Sequence, residues 1–321
     1  MRRLIASCCA AALGLAVQAC GAPPPRLYVS DERGDTVTVV DPRRGEVLAT
    51  IAVGGRPRGL GLSPDGSRLY AALGREDAVA VIDTRRLEMI GKLPAGSDPE
   101  AFAVHPHSGR LYLSNEDAGL VSVLDPEAGE VVAEIPVGIE PEGVAASPDG
   151  RWIAATSEST HLVHLIAVPG HEVVANVLVG ARPREVLFTP DSRILYASSE
   201  IAGEVAKIDV ERRSVVASAR IDLAGARPKG LALAPGGREL YVATGRADRV
   251  AVLDAEDLRT LAVIPTGRRV WGLALSADGR RLYAGNSLGT TITVIDAAAR
   301  RPVGELPAGD GPWGLLLVES R

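Results

Sequence analysis

The sequence predicts an all-β protein, a seven-bladed β-propeller with four antiparallel strands per blade, on three observations. Gly54 recurs as Gly96, Gly138, Gly180, Gly225, Gly267 and Gly309, at intervals of 42, 42, 42, 45, 42 and 42 residues, and a period near 42 is that of a four-stranded blade. Three residues after each glycine stands Pro57, Pro99, Pro141, Pro183, Pro228 or Pro312, with Val270 the single departure. No stretch has the apolar spacing of an amphipathic helix. Each unit instead holds four short runs rich in β-branched residues, separated by turn residues.

The chain begins with a segment outside the repeat. Met1-Arg2-Arg3 is basic and 4–17 is an uncharged run of apolar and small residues, the pattern of a secretory leader and too short to span a membrane. Val17-Gln18-Ala19-Cys20-Gly21 resembles the lipobox of bacterial lipoproteins, which would make Cys20 the lipidated N-terminus; ordinary cleavage near Ala19 is the alternative. Residues 1–19 are thus expected to be a lipoprotein-type signal peptide and 20–25, with Pro23-Pro24-Pro25, a short stiff tether. The product is expected to be exported, periplasmic and lipid-anchored, touching the membrane only through that anchor. Of Cys8, Cys9 and Cys20, two fall in the leader, so no disulfide, thiol nucleophile or cysteine metal site is expected in the mature chain. Without 1–19, which hold Arg2 and Arg3 and no acid, 33 basic residues face 40 acidic ones, a formal charge of −7. That balance does not favour nucleic acid as a partner.

Residues 26–321 form one domain, because the period runs through them unbroken. In the first unit the strands are 27–30, 36–40, 47–53 and 58–62, with turns at Asp41-Pro42-Arg43-Arg44-Gly45 and Ser63-Pro64-Asp65-Gly66. Pro64, Pro106, Pro148, Pro190 and Pro235 repeat one turn; Asp41, Asp83, Asp125, Asp209, Asp254 and Asp296 repeat the other. All six tyrosines occupy one repeat position, which marks them as packing. In the fourth strand small residues flank large ones (Gly59 and Gly61 around Leu60, Ala101 and Ala103 around Phe102), so that innermost strands can crowd an axis. The first unit starts at a second strand and the chain ends on a lone innermost one, Trp313-Gly-Leu-Leu-Leu-Val318. The two ends are therefore expected to share a blade and so hide two open edges. A monomer is expected.

The segments LYVSDERGDTVTVVD and ATIAVGGRPRGLGLSPDG resemble the YVTN-type propeller repeat of exported bacterial and archaeal proteins. Within that group the chain is most similar to the propeller family associated with pyrroloquinoline quinone (PQQ)-dependent catabolism. The matching signatures are Asp98-Pro99-Glu100, Asn115-Glu116-Asp117, Glu140-Pro141-Glu142-Gly143, Thr156-Ser157-Glu158, Arg182-Pro183-Arg184, Ser199-Glu200-Ile201, Arg269-Val270-Trp271 and Pro312-Trp313-Gly314. The resemblance implies a protein that accompanies periplasmic quinoprotein alcohol oxidation, in a family that no catalytic activity defines. Two positions depart from it: Asn115-Glu116-Asp117 continues with Ala118-Gly119, and Ala167 replaces the turn aspartate.

Residues that break the repeat at fixed positions are the functional candidates. Directly after the repeated proline come Arg58, Glu100, Glu142, Arg184, Lys229, Trp271 and Trp313, each the first side chain of an innermost strand and so expected to ring one mouth of the channel. Directly before it come Arg56, Asp98, Glu140, Arg182, Arg227, Arg269 and Gly311. Glu116, Glu158 and Glu200, with Glu32, end the next strand and belong to the same face. Two readings follow. The ring is either a self-neutralising ion-pair plug with two indoles, or a pocket for a partner protein's loop or a small anionic or aromatic ligand. Five basic groups and two indoles would suit PQQ or a similar anionic quinone. No cofactor, metal or catalytic residue is predicted. The alternatives are a metal-dependent hydrolase or lactonase using Glu100, Glu116, Glu142 and Glu158, and a nucleic-acid or cell-surface propeller using the basic side. His161 and His164, three apart in an expected strand, point to opposite faces, and His164, which matches a histidine of the family, reads as a core residue.

Overall fold

In the computed structural model residues 24–319 are described; the leader, Cys20 and most of the tether lie outside them. Twenty-eight strands, numbered β1 to β28 in chain order, make seven four-stranded antiparallel sheets arranged as a propeller. Blade 1 holds β1 (Arg26–Asp31), β2 (Thr36–Asp41) and β3 (Glu46–Ala52), with β28 (Pro312–Val318) as its innermost strand, in the order β28-β1-β2-β3. Blades 2 to 7 span 57–94, 99–136, 141–178, 183–220, 231–265 and 270–307. The shared blade expected from the ends of the chain is present.

The core is seven wedges of apolar side chains, one at each boundary between neighbouring blades. Between blades 1 and 2, for example, Tyr28, Val37, Val39 and Ile51 pack on Leu69, Ala71, Leu73 and Ile82. Leu27, Val29 and Val40 of blade 1 meet Ala274, Tyr283 and Ile292 of blade 7, so the seam is packed like any other boundary. The alternation of each strand explains this: Leu69, Ala71 and Leu73 face one neighbour while Tyr70 and Ala72 face the other. All six tyrosines are buried, as their shared position implied.

The turns close as their sequences dictate. Ser63 Oγ donates to Asp65 Oδ1 at 2.6 Å, Gly66 N–H to the Ser63 carbonyl at 2.8 Å, and Gly66 takes φ 72°. Asp41 Oδ1 accepts from the N–H groups of Arg43 and Arg44 at 2.8 and 3.1 Å.

One element differs from expectation. The innermost strand of blade 6, β20, covers only Leu231–Leu233, so Lys229 precedes it. The unit that leads into it is three residues longer than the others. Those residues are taken up by tight turns in which Leu223 N–H reaches the Ile221 carbonyl at 2.7 Å and Ala226 N–H the Leu223 carbonyl at 3.2 Å. Lys229 N–H still bonds the Ala243 carbonyl at 2.9 Å, which holds the lysine in line with the other ring residues.

At the seam, Asp31 Oδ1 accepts the Gly309 N–H at 2.9 Å, Glu32 N–H donates to the Gly311 carbonyl at 2.9 Å, and Arg33 pairs with Asp310 at 2.6 Å. Deleting 311–321 removes β28 and, with it, the bond from Glu32 N–H to the Gly311 carbonyl. It is expected to produce aggregation or a loss of stability far beyond the ~1 kcal/mol of an ordinary point substitution. Size-exclusion chromatography and thermal melting check this; a truncated monomer with the full-length melting temperature would refute the closed ring.

Candidate functional site

The innermost strands present their ring residues through a repeated backbone irregularity. In blade 2 Pro57 pairs with Leu73, but the next pair is Leu60 with Ala71, so one extra residue is accommodated just after the proline. The same slip follows Pro99, Pro141 and Val270. A bulge re-aims the side chain it carries, here toward the axis.

Hydroxyls that sequence reasoning missed lock the bulges. Ser30 Oγ accepts from Gly314 N–H at 2.8 Å and donates to the Arg58 carbonyl of the next blade at 2.5 Å. Ser114 does the same between Ala101 N–H (3.1 Å) and the Glu142 carbonyl (2.6 Å). Ser198 does so between Glu185 N–H (3.2 Å) and the Lys229 carbonyl (2.7 Å). The signal was available: these serines recur two units apart, one residue before the last of a strand.

The seven expected ring residues all come together around the axis; six are buried and Arg58 is half-buried. Glu100 is 0% exposed, Trp271 2% and Trp313 4%. Arg58 pairs with Glu100 of the next blade and with Glu32 (2.8 Å); Arg184 pairs with Glu142 (2.9 Å) and Glu158. Lys229 reaches Glu185 at 2.6 Å and lies 4.0 Å from the Trp313 ring centroid. The guanidiniums of Arg58, Arg184 and Arg269 lie 5.5, 5.2 and 4.3 Å from an indole centroid, that of Trp313 for the first and Trp271 for the others. Cations stacked on desolvated indoles are worth ~2 kcal/mol each. At the level of the indoles the axis is thus closed, and neither tryptophan is an open floor on which a ligand could stack.

Around the plug the charges fall into two neutralised groups. Arg56 binds Asp98 (2.9 Å) and Glu100 (2.6 Å), with Glu116 at 3.7 Å. Arg182 binds Glu158 (2.6 Å), with Glu200 at 3.5 Å. Burial pushes the Glu158 carboxyl up to about 7; Arg184 and Arg182 pull against that and Glu142 adds to it. Burial also opposes ionisation of Glu142, but Arg184, Arg58, Lys229 and Arg182 outweigh it and hold this carboxyl below its ordinary range. Glu116 is raised by burial and by the acids Glu142 and Asp98.

The residues before the proline form an outer rim. Arg56, Asp98, Glu140, Arg182 and Arg269 all adopt φ between 43° and 60°, a left-handed conformation that costs a residue with a β-carbon about 1 kcal/mol. Partners on the preceding hairpin stabilise four of them. The N–H groups of Arg56, Asp98 and Arg269 donate to Asp35, Asp77 and Asp248 at 3.0, 2.9 and 2.6 Å, and that of Arg182 to His161 Nδ1 at 3.3 Å. His161 is therefore a turn residue at φ 58°, in the position of those aspartates, and not a strand residue as expected. His164 is a core residue: Nε2 accepts the Gly138 N–H at 3.1 Å, Nδ1 lies 2.6 Å from Asn176 Oδ1, and burial lowers its pKa.

Toward blades 6 and 7 the rim changes character. Arg246, Arg268 and Arg269, with Asp248 and Leu288, line a cleft of about 500 Å³. Among the described residues none of these three guanidiniums takes part in an ion pair within 4.0 Å. Burial lowers the pKa of Arg269; the more distant acids Glu32 and Glu200 oppose that, and the like charges of Arg184 and Arg246 add to it.

Comparison with known proteins supports the architecture. Residues 144–301 match a family model described as lactonase, 7-bladed beta-propeller. No curated protein matches the sequence. A chain of Kuenenia stuttgartiensis hydrazine synthase is similar over 90% of this chain and 99% of its own, at 24% identity and a TM-score of 0.77. A functionally unknown protein from Desulfotomaculum acetoxidans DSM 771 aligns over 92% and 99%, at 14% identity and a TM-score of 0.81. The dihydro-heme d1 dehydrogenase NirN, solved in complex with DHE, aligns over 89% of this chain and 64% of its own, at 23% identity and a TM-score of 0.68. At these identities the likeness carries the fold.

Two outcomes follow from the plug. Trp271→Ala or Trp313→Ala should each cost ~3–5 kcal/mol of stability as a truncated buried aromatic. Arg184→Ala should cost a similar ~3–5 kcal/mol by stranding Glu142 and Glu158. Denaturant unfolding measures all three, and wild-type midpoints would mean that the ring is not the plug described.

The second outcome concerns pH. The fold favours the protonated form of Glu158, so its contribution is full below the ordinary value of 4.5 and is lost as pH rises through about 7. Asp31, pushed up to about 6 by burial, acts with the same sign. Glu158 and Asp31 should therefore lower the melting temperature between pH 5 and 8, while His164 and His171, whose pKa values burial lowers, work in the opposite sense. Relative to wild type, Glu158→Gln, which cannot ionise, should lose less stability across this window, and parallel pH profiles for the two proteins would contradict the assignment.

Proposed function

We propose that this protein is an exported, lipid-anchored binding module that serves periplasmic PQQ-dependent alcohol oxidation and engages an anionic partner on the mouth face. One observation carries the location. The axis is closed by buried ion pairs and indoles, whereas the rim above it leaves arginines of blades 6 and 7 without acid partners. Positive charge that the fold itself does not neutralise favours a ligand or partner surface of opposite sign. The indoles hold the arginines in place and are not themselves the contact surface. The resemblance of the sequence signatures to the PQQ-associated propellers supplies the physiological setting, and the lipobox-like segment at Cys20 supplies the anchor.

A hydrolase acting on lactones is the second reading. It is favoured by the family-model match over 144–301 and by carboxylate oxygens of Asp98, Glu100 and Glu116 that lie within 4.8 Å of one another, close enough to hold a metal ion. Arg56 already contacts all three carboxylates, so a cation would have to displace a guanidinium. Lactone hydrolysis by the purified protein, dependent on added calcium or zinc, would turn the assignment to this reading.

The binding-module reading is tested in the cell of origin. Deleting the gene should lower PQQ-dependent alcohol oxidation, and wild type should restore it. Arg268→Glu should fail to restore it although the protein is made and folded, and Cys20→Ala should move the protein from the membrane to the soluble fraction. Oxidation that proceeds at the wild-type rate in the deletion strain would refute the proposal.

A further inference from the structure

Resting on the mouth-face reading, we infer that the cleft between blades 6 and 7 is a discrete site for a compact oxyanion carrying two or more negative charges, a phosphate or a polycarboxylate. Three arginines, Arg246, Arg268 and Arg269, line one cavity of about 500 Å³, within the size range of small-ligand pockets. Two come from a single loop, 266–269, and the third from the hairpin loop 244–248 of the neighbouring blade, so the cleft straddles a blade boundary.

The acid in the cleft does not neutralise them. Asp248 accepts the Arg269 backbone N–H at 2.6 Å. This is the same service that Asp35 and Asp77 perform for Arg56 and Asp98 elsewhere in the ring. Its role is to hold a strained loop, which leaves the guanidiniums free.

The loop is preorganised from the other side as well. The Arg268 carbonyl accepts Leu288 N–H at 3.2 Å, and the Arg269 carbonyl accepts Ser287 N–H at 3.0 Å and Ser287 Oγ–H at 2.9 Å. The Arg269 guanidinium is fixed by its stack on Trp271 at 4.3 Å. That indole is itself 2% exposed, and its Nε1–H is buried with no acceptor among the described residues. Orphaned buried donors are rare in native folds and call for an explanation. Trp271 does not line the cleft, however, so this donor belongs to the plug and not to the anion site.

Planar forks of donors match carboxylate and phosphate geometry bidentately. Three cations beside a single carboxylate, that of Asp248, leave an excess of positive charge, and a dianion relieves the repulsion among them. Here the comparison with blades 2 and 5 is instructive, because Arg56, Arg58, Arg182 and Arg184 are each met by carboxylates of the chain itself. The external anion would take, at blades 6 and 7, the place those carboxylates hold in the other sectors.

Calorimetric titration of the purified protein at low ionic strength with inorganic phosphate, citrate and PQQ tests the site. Saturable binding of at least one is expected, weakened tenfold or more in Arg246→Ala/Arg268→Ala, with affinity falling as salt rises. The melting temperature of this variant should stay near wild type, since both side chains are exposed. Phosphate and citrate binding alike would assign the site to charge alone; PQQ binding at least tenfold tighter than citrate would assign it to a planar polycarboxylate. Failure of all three to bind at millimolar concentration, or binding unaltered in the variant, overturns the inference. The mouth-face reading is judged separately by the deletion strain: if oxidation needs the protein but these anions do not bind, the module stands and this cleft does not.

Discussion

Seven innermost strands converge on one axis, and the closeness of that approach governs the rest of the molecule. A β-carbon on Gly59 would lie 2.9 Å from the Ala101 Cα, and one on Gly314 2.6 Å from the Arg58 carbonyl oxygen. Gly143, Gly230 and Gly272 likewise abut the carbonyls of Arg184, Trp271 and Trp313, the ring residues of the next blade. Backbones this close leave no space for side chains between them, so the residue before each small one is turned inward by a bulge, toward the axis. Seven side chains then compete for one narrow volume from which water is largely excluded. What can stand there is limited to groups that satisfy each other.

That constraint explains the composition of the ring. A carboxylate as buried as Glu100 is tolerated only with its charge met, and two guanidiniums meet it. The two indoles take the ring positions of blades 7 and 1 and accept neighbouring cations on their faces. The raised pKa of Glu158 belongs to the same account, because Glu142 and Glu158 share Arg184 and the surrounding cations outweigh burial only at Glu142. An axis assembled in this way stabilises the propeller and closes its mouth at that depth.

The rim is released from this requirement because water reaches it. There the chain carries left-handed residues, and for Arg56, Asp98, Arg182 and Arg269 the backbone N–H is held by a residue of the preceding hairpin. Strain that is held by surrounding contacts recurs at functional sites. The charges of this layer are balanced over blades 2 to 5 and unbalanced over blades 6 and 7, and the unbalanced sector coincides with two breaks in the repeat: the three-residue insertion before Lys229 and the replacement of proline by Val270.

The period of the glycines and prolines, the six equivalent tyrosines and the lone terminal strand determined the number of blades, the faces of each strand and the sharing of a blade by the two ends. Each of these depends on local pattern repeated along the chain, and local pattern is what a sequence displays. The membership of the ring was legible for the same reason, since equivalent positions in a closed repeat must meet on one circle. Tertiary structure alone decided three things. It decided the depth at which the ring sits, which made Trp271 and Trp313 a plug instead of a floor. It decided the pairing of arginines with carboxylates across blade boundaries, which depends on reach and direction that residue order does not encode. And it decided which arginines were left over: Arg182 and Arg269 hold the same repeat position, yet among the described residues the guanidinium of one pairs with Glu158 and that of the other forms no ion pair within 4.0 Å, because charge is balanced between neighbours in space and those neighbours come from different blades.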